Sequence, residues 1–97
     1  MKYDYPVVCV SKPDLVFNRP CLDIMPLERY RVSLYGDYLI IRPDKHGSKL
    51  FYDGRRSAML HAGIALRLSG QRSKTHHKLY RYKDGFAIRL SEELEEG

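Results

Sequence analysis

Two adjacent histidines, His76 and His77, sit between Lys74 and Lys78, while the two cysteines, Cys9 and Cys21, lie far upstream. Imidazoles that titrate near neutral pH could do acid–base work in a small nuclease, and together with two thiols they could ligate a metal. The spacing argues against both. Cys9 and Cys21 lack the Cys-x-x-Cys pairing of a structural zinc site, and neighbouring histidines in a basic loop read more readily as surface than as a catalytic pair. No phosphate-cradling glycine loop, zinc-protease helix or nucleophile elbow occurs. The chain therefore reads as non-enzymatic, with no cofactor and no metal, and its thiols as reduced and structural. His61, between apolar residues, reads as packed and hydrogen-bonded, and His46 beside Gly47 as a turn residue.

Binding chemistry is better represented. Residues 49–91 carry ten Lys and Arg against two Asp and Glu, whereas residues 1–48 carry seven against six and residues 92–97 none against four. Eight of those basic side chains (Arg55, Arg56, Arg67, Arg72, Lys74, Lys78, Arg81 and Lys83) fall between Gly54 and Lys83 with no acidic residue among them. Such a segment attracts polyanions or acidic protein surfaces, or else is a solvated face. Eight tyrosines are spread among these charges, and tyrosine rings can stack on bases or support guanidinium groups.

The elements that must position these groups follow from turns and periodicity. Tyr5 to Val10 and Leu15 to Phe17 read as strands around a Lys12-Pro13-Asp14 turn, and Asn18 to Glu28, with two prolines, reads as ordered coil. Gly36-Asp37 is a glycine-first pair suited to a type II′ hairpin turn between Tyr30–Tyr35 and Tyr38–Pro43. That turn sets Tyr35 opposite Tyr38, Leu34 opposite Leu39, Ser33 opposite Ile40, Val32 opposite Ile41 and Arg31 opposite Arg42. Leu34, Leu39, Val32 and Ile41 then face the core, with the tyrosines and arginines on the other side. Directly opposed arginines repel, so either a bound anion or acidic partner offsets them, or both fan into solvent.

After a short third strand at Lys49–Tyr52, Asp53 reads as an N-cap, residues 55–69 as the main helix and Gly70 as its stop. The helix is apolar on two sides, through Met59, Ala62 and Leu66 and through Leu60, Ile64 and Leu68. Both stripes need cover, from the sheet together with the N-terminal segment or a second copy in a homodimer. Residues 69–78 read as a basic loop suited to phosphate contact. Leu79–Tyr82 and Phe86–Leu90 read as a hairpin closed by the three-residue loop Lys83-Asp84-Gly85. Its expected register pairs Tyr82 with Phe86 and Tyr80 with Ile88 in the core, leaving Arg81 and Arg89 outside. The expected fold class is α+β, a small antiparallel sheet built from hairpins and packed on one main helix. Residues 1–91 are expected to form a single domain, and residues 92–97 an acidic tail that either frays, the preferred expectation, or folds back to screen the basic surface.

The succession from Tyr30 to Leu68, two hairpin strands, a third strand ending in Phe51-Tyr52-Asp53 and an alanine-containing helix, resembles the plan of AP2-type and phage-integrase N-terminal DNA-binding domains. The tryptophan of those families is absent. The resemblance implies a sheet face that enters the DNA major groove, with Arg31, Arg42, Tyr35 and Tyr38 in the corresponding kind of position. The expected function is a non-enzymatic nucleic-acid-binding domain. Its contacts come from Arg31, Arg42, Tyr35, Tyr38, Arg72, Lys74, His76, His77, Lys78, Arg81 and Arg89, and its partner is duplex DNA or RNA. The alternative is a small phage- or mobile-element-type modulator that docks on an acidic host-protein surface or occludes a nucleic-acid-binding site. No apolar run is long enough to span a membrane and the N-terminus carries no signal-peptide stretch, so the expected location is cytoplasmic.

Overall fold

Short apolar and β-branched runs separated by tight turns make strands the main element of this chain. The computed structural model describes residues 3–54 and 56–95. Its strands are β1 (Val7–Ser11), β2 (Asp14–Asn18), β3 (Arg29–Tyr35), β4 (Tyr38–Pro43), β5 (Ser48–Lys49), β6 (Phe51–Asp53), β7 (Ser57–His61), β8 (Thr75–Lys78), β9 (Tyr80–Tyr82) and β10 (Gly85–Arg89). Two short helices interrupt them, α1 (Arg19–Ile24) and α2 (Gly63–Ser69). The strands form two antiparallel five-stranded sheets: sheet A, ordered β6-β7-β2-β1-β8, and sheet B, ordered β5-β3-β4-β10-β9. Inward residues of sheet A, among them Val8, Val10, Leu15, Phe17 and Leu60, join Tyr30, Leu39, Ile41, Phe86 and Ile88 of sheet B in one buried cluster. Each sheet thus has one face in the core and one outside.

The fold is therefore mostly β, and the expected α+β packing on one main helix is wrong. Ser57–His61 is a strand paired with β2, Leu15 opposite Leu60 and Phe17 opposite Ala58. Its burial alternates, with Ala58 and Leu60 inside and Met59 and His61 exposed. An apolar stripe on both sides of a helical wheel is what a half-buried strand of period two produces when read at the wrong period. Among the described residues of that expected helix, only 63–69 are helical, ending at Gly70 in the left-handed conformation (φ 68°). Leu60 is core, but Ile64 and Leu68 are 70% and 71% exposed, so the second stripe is not covered within the chain. Arg55, where the expected helix began, lies outside the described residues.

The stretch 18–28 also departs from the expected coil. Asn18 caps α1, its Oδ1 accepting from the Cys21 N–H at 3.2 Å and the Val7 N–H at 3.1 Å, while Pro20 occupies the first turn. Both are helix-start signals. The β3–β4 hairpin has the expected register, from Tyr35 opposite Tyr38 to Arg31 opposite Arg42, and Gly36 has the positive φ (60°) that a glycine-first turn requires. It does not stand out as a ribbon, because β5 flanks β3 and β10 flanks β4. The strand expected at 49–52 is split between the two sheets as β5 and β6. The three-strands-plus-helix plan is accordingly absent.

The last hairpin is shifted by one residue. Tyr82 pairs with Gly85 and Tyr80 with Ala87, so the loop is Lys83-Asp84, with the positive φ on Lys83 (53°). Gly85 belongs to the strand because a Cβ there would lie 2.3 Å from the Ile41 carbonyl oxygen. A one-residue slip turns every side chain over, so Tyr80 and Tyr82 leave the expected core position for the outer face. Residues 92–95 lie back along the molecule instead of fraying. The Leu94 N–H donates to the His76 carbonyl at 2.7 Å, and Glu93 pairs with Arg72 at 2.8 Å. Glu96 and Gly97 lie outside the described residues. Among the described residues no helix is long and apolar enough to cross a membrane.

Candidate nucleic-acid interface

Register alone assembles the outer face of sheet B. Pairings β3–β4, β4–β10 and β10–β9 place Ser33, Ile40, Ala87 and Tyr80 side by side in one row. Tyr35, Tyr38 and Arg89 form the row on one side of it, and Arg31, Arg42, Gly85 and Tyr82 the row on the other. Buried Ile40 and Ala87 make an apolar floor, around which all four tyrosines are exposed, Tyr35 most of all at 75%. Two shallow grooves lie on this face, of about 480 and about 350 Å3, and Tyr35, Ile40 and Tyr82 line both.

The charges on the face are mostly basic and partly compensated. Asp44 accepts from the Arg31 guanidinium and from the His46 N–H, and the Arg31 bond chiefly holds its carboxyl below the usual range. This ion pair answers the Arg31–Arg42 repulsion from within the chain, so that pair does not call for an external anion. Arg89 donates to Asp37 at 3.2 Å and lies 6.0 Å from the centre of the Tyr38 ring. Asp37 also accepts from the Ser91 hydroxyl and N–H, and the hydroxyl bond leads in lowering its pKa. The Lys83 ammonium lies 5.4 Å from the Tyr82 ring centre. Tyr80 donates its hydroxyl to Glu92 at 2.6 Å, which raises its pKa, with Lys78 5.4 Å from its ring. Among the described residues, neither Arg42 nor Lys83 makes an ion pair.

Of the residues singled out in the sequence, Arg31, Arg42, Tyr35, Tyr38 and Arg89 come together here. Arg81 alternates to the other side of β9, its guanidinium 5.6 Å from the Phe86 ring. The segment expected to be a loop is in large part strand β8. Arg72 is engaged by Glu93, and Lys74 holds a turn at φ 66°, its N–H donating to the Val10 carbonyl at 2.7 Å. His76 and Lys78 point out of sheet A, with His76 5.8 Å from the Tyr3 ring. His77, on the opposite side of the strand, is buried. Its Nδ1 hydrogen is shared between the carbonyls of Arg89 and Glu92 at 3.0 Å each, and its Nε2 lies 2.9 Å from the Thr75 hydroxyl. His77 is thus a structural link between β8 and the end of β10, not a contact residue, and the two histidines cannot act on one ligand. His61, expected to be packed, is exposed beside Asp14 at 3.6 Å.

Three residues of the face were missed in the sequence: Tyr80, Tyr82 and Lys83. The available signal was Gly85, since a glycine inside a strand marks a close backbone approach as readily as a turn. The outer face of sheet A is different in kind. Phe51, Met59, Val16, Cys9 and His76 run across its five strands in register, and Phe51 and Met59 are exposed. Comparison with protein-family models, with curated proteins and with solved structures gives no match.

Proposed function

We propose that the protein is a non-enzymatic nucleic-acid-binding domain that uses the outer face of sheet B. The observation that carries this reading is the gathering of four exposed tyrosines around an apolar floor, bordered by Arg31, Arg42, Arg89 and Lys83, two of which have no carboxylate partner among the described residues. Aromatic rings interleaved with cations suit bases and phosphates together. The net charge of +5 adds a general attraction for polyanions.

Fluorescence anisotropy with a labelled mixed-sequence oligonucleotide tests this. Affinity should fall steeply between about 50 and about 200 mM salt, and Arg42→Ala with Lys83→Ala should weaken binding and reduce the salt slope by about 0.7 to 0.9 for each phosphate no longer held. Absence of binding at the lower salt would contradict the reading. A second reading, a protein-binding modulator of the kind phages and mobile elements encode, is favoured by a separate observation: the apolar side chains of Phe51 in sheet A and of Ile64 and Leu68 in α2 are exposed. It forecasts a stoichiometric, nuclease-resistant protein complex in place of oligonucleotide binding.

A further inference from the structure

We infer that the ligand of this face is a single strand whose unpaired bases stack on Tyr35 and Tyr82, with phosphates held by Arg42 and Lys83; this rests on the nucleic-acid reading above. Shape decides against a duplex. Base edges of a duplex are read in a major groove about 12 Å wide, which admits a helix or a two-stranded ribbon. Through the tyrosines the face of sheet B is up to four strands wide, β3-β4-β10-β9, roughly 14 Å at about 4.8 Å spacing, and Tyr80 and Tyr82, on the edge strand β9, belong to this continuous sheet and not to a free two-stranded ribbon. A duplex laid on such a face would meet it with phosphates only, leaving the rings with nothing to stack on. Unpaired bases present their π-faces to any exposed ring.

The two tyrosines are chosen by position. Tyr35 and Tyr82, with Ile40 between them, are shared by both grooves, so a base on either side of that line meets one of these rings. Tyr38 and Tyr80 line only the first groove, and Tyr80 also gives its hydroxyl to Glu92. Lys83 lies 5.4 Å from the Tyr82 ring centre, and Arg42 follows the Ile41 that faces Phe86. Both stand at the rim of the second groove, where a backbone phosphate beside a stacked base would lie. Both cations lack an ion-pair partner among the described residues, which leaves them available to an anion.

The test uses the full chain with labelled oligo-deoxythymidine and oligouridine of about 12 nucleotides, within the site sizes known for single-strand binders, and a duplex of equal length. The single strands should bind at least about tenfold more tightly than the duplex. Tyr35→Ala and Tyr82→Ala should each weaken single-strand binding by about fivefold or more with an unchanged salt slope, and Tyr→Phe at either position should retain affinity, because the ring and not the hydroxyl stacks. Preference for the deoxy or the ribo strand names the source of the ligand, and either preference supports the inference. Equal or tighter duplex binding, or alanine variants that bind single strands like the wild type, would overturn the stacking inference while leaving nucleic-acid binding intact. No binding to any of the three would overturn both. Circular dichroism of each variant separates weakened binding from unfolding, and both rings are exposed, so the fold should persist.

Discussion

At the scale of single residues, the buried groups divide cleanly from the exposed ones that are free to meet a ligand. His77 serves three acceptors and donors inside the protein, the carbonyls of Arg89 and Glu92 and the hydroxyl of Thr75. Removing it strands those groups and opens a cavity, so His77→Ala should lower stability by about 2–4 kcal/mol in denaturant unfolding. An unchanged midpoint would show that the imidazole is not the link described. Cys21 is a second buried group, with its thiol donating to the Val7 carbonyl at 3.3 Å and its pKa pushed by burial from 9.0 up to about 12. Above pH 9 the unfolded chain loses a proton that the folded chain keeps. Stability is therefore intact below that pH and declines as pH rises toward 12, at up to about 1.4 kcal/mol per pH unit from this group. Tyr30, also raised by burial, adds in the same direction above its ordinary value of 10.0. Unfolding midpoints from about pH 8 to about pH 10 should fall, and Cys21→Ala should show a shallower decline. Equal slopes in the two proteins would count against the burial of the thiol.

At the scale of elements, the hairpin register controls which side chains reach the surface. Gly85 lets β10 approach β4, and Gly85→Ala would bring a Cβ to 2.3 Å from the Ile41 carbonyl oxygen. Because that oxygen is backbone within the sheet, the substitution should cost about 1–3 kcal/mol or shift the strand, and a thermal melt that does not move would contradict the close approach. The same glycine shows why some elements were legible in the sequence and others were not. β3 and β4 could be read to the residue because Gly36-Asp37 fixes the pairing locally. The β9–β10 register could not, since a glycine after Lys83-Asp84 looks like a loop residue until Ile41 is known to lie against it. β7 was hidden for a different reason. Ala58, Met59 and Leu60 favour helix locally, and only their pairing with β2, far away in sequence, makes them a strand. The candidate site followed suit: its β3 and β4 half was readable, and its Tyr80, Tyr82 and Lys83 half depended on a contact outside the local sequence.

At the scale of the whole molecule, two sheets share one core and turn unlike faces outward. Sheet A offers an apolar row through Phe51, Met59 and Val16, while sheet B offers tyrosines and cations, with Asp37, Asp44 and Glu92 restraining part of the charge. A polyanion should therefore meet sheet B and leave sheet A untouched. The most direct measurement is an amide NMR titration of the isotope-labelled protein with a short single-stranded oligonucleotide. The account predicts that perturbed resonances cluster on β3, β4, β9 and β10, with Tyr35, Arg42, Tyr82 and Lys83 among them, while those of β2, β6 and β7 stay in place. Perturbations confined to sheet A, or a spectrum that does not change, would contradict it.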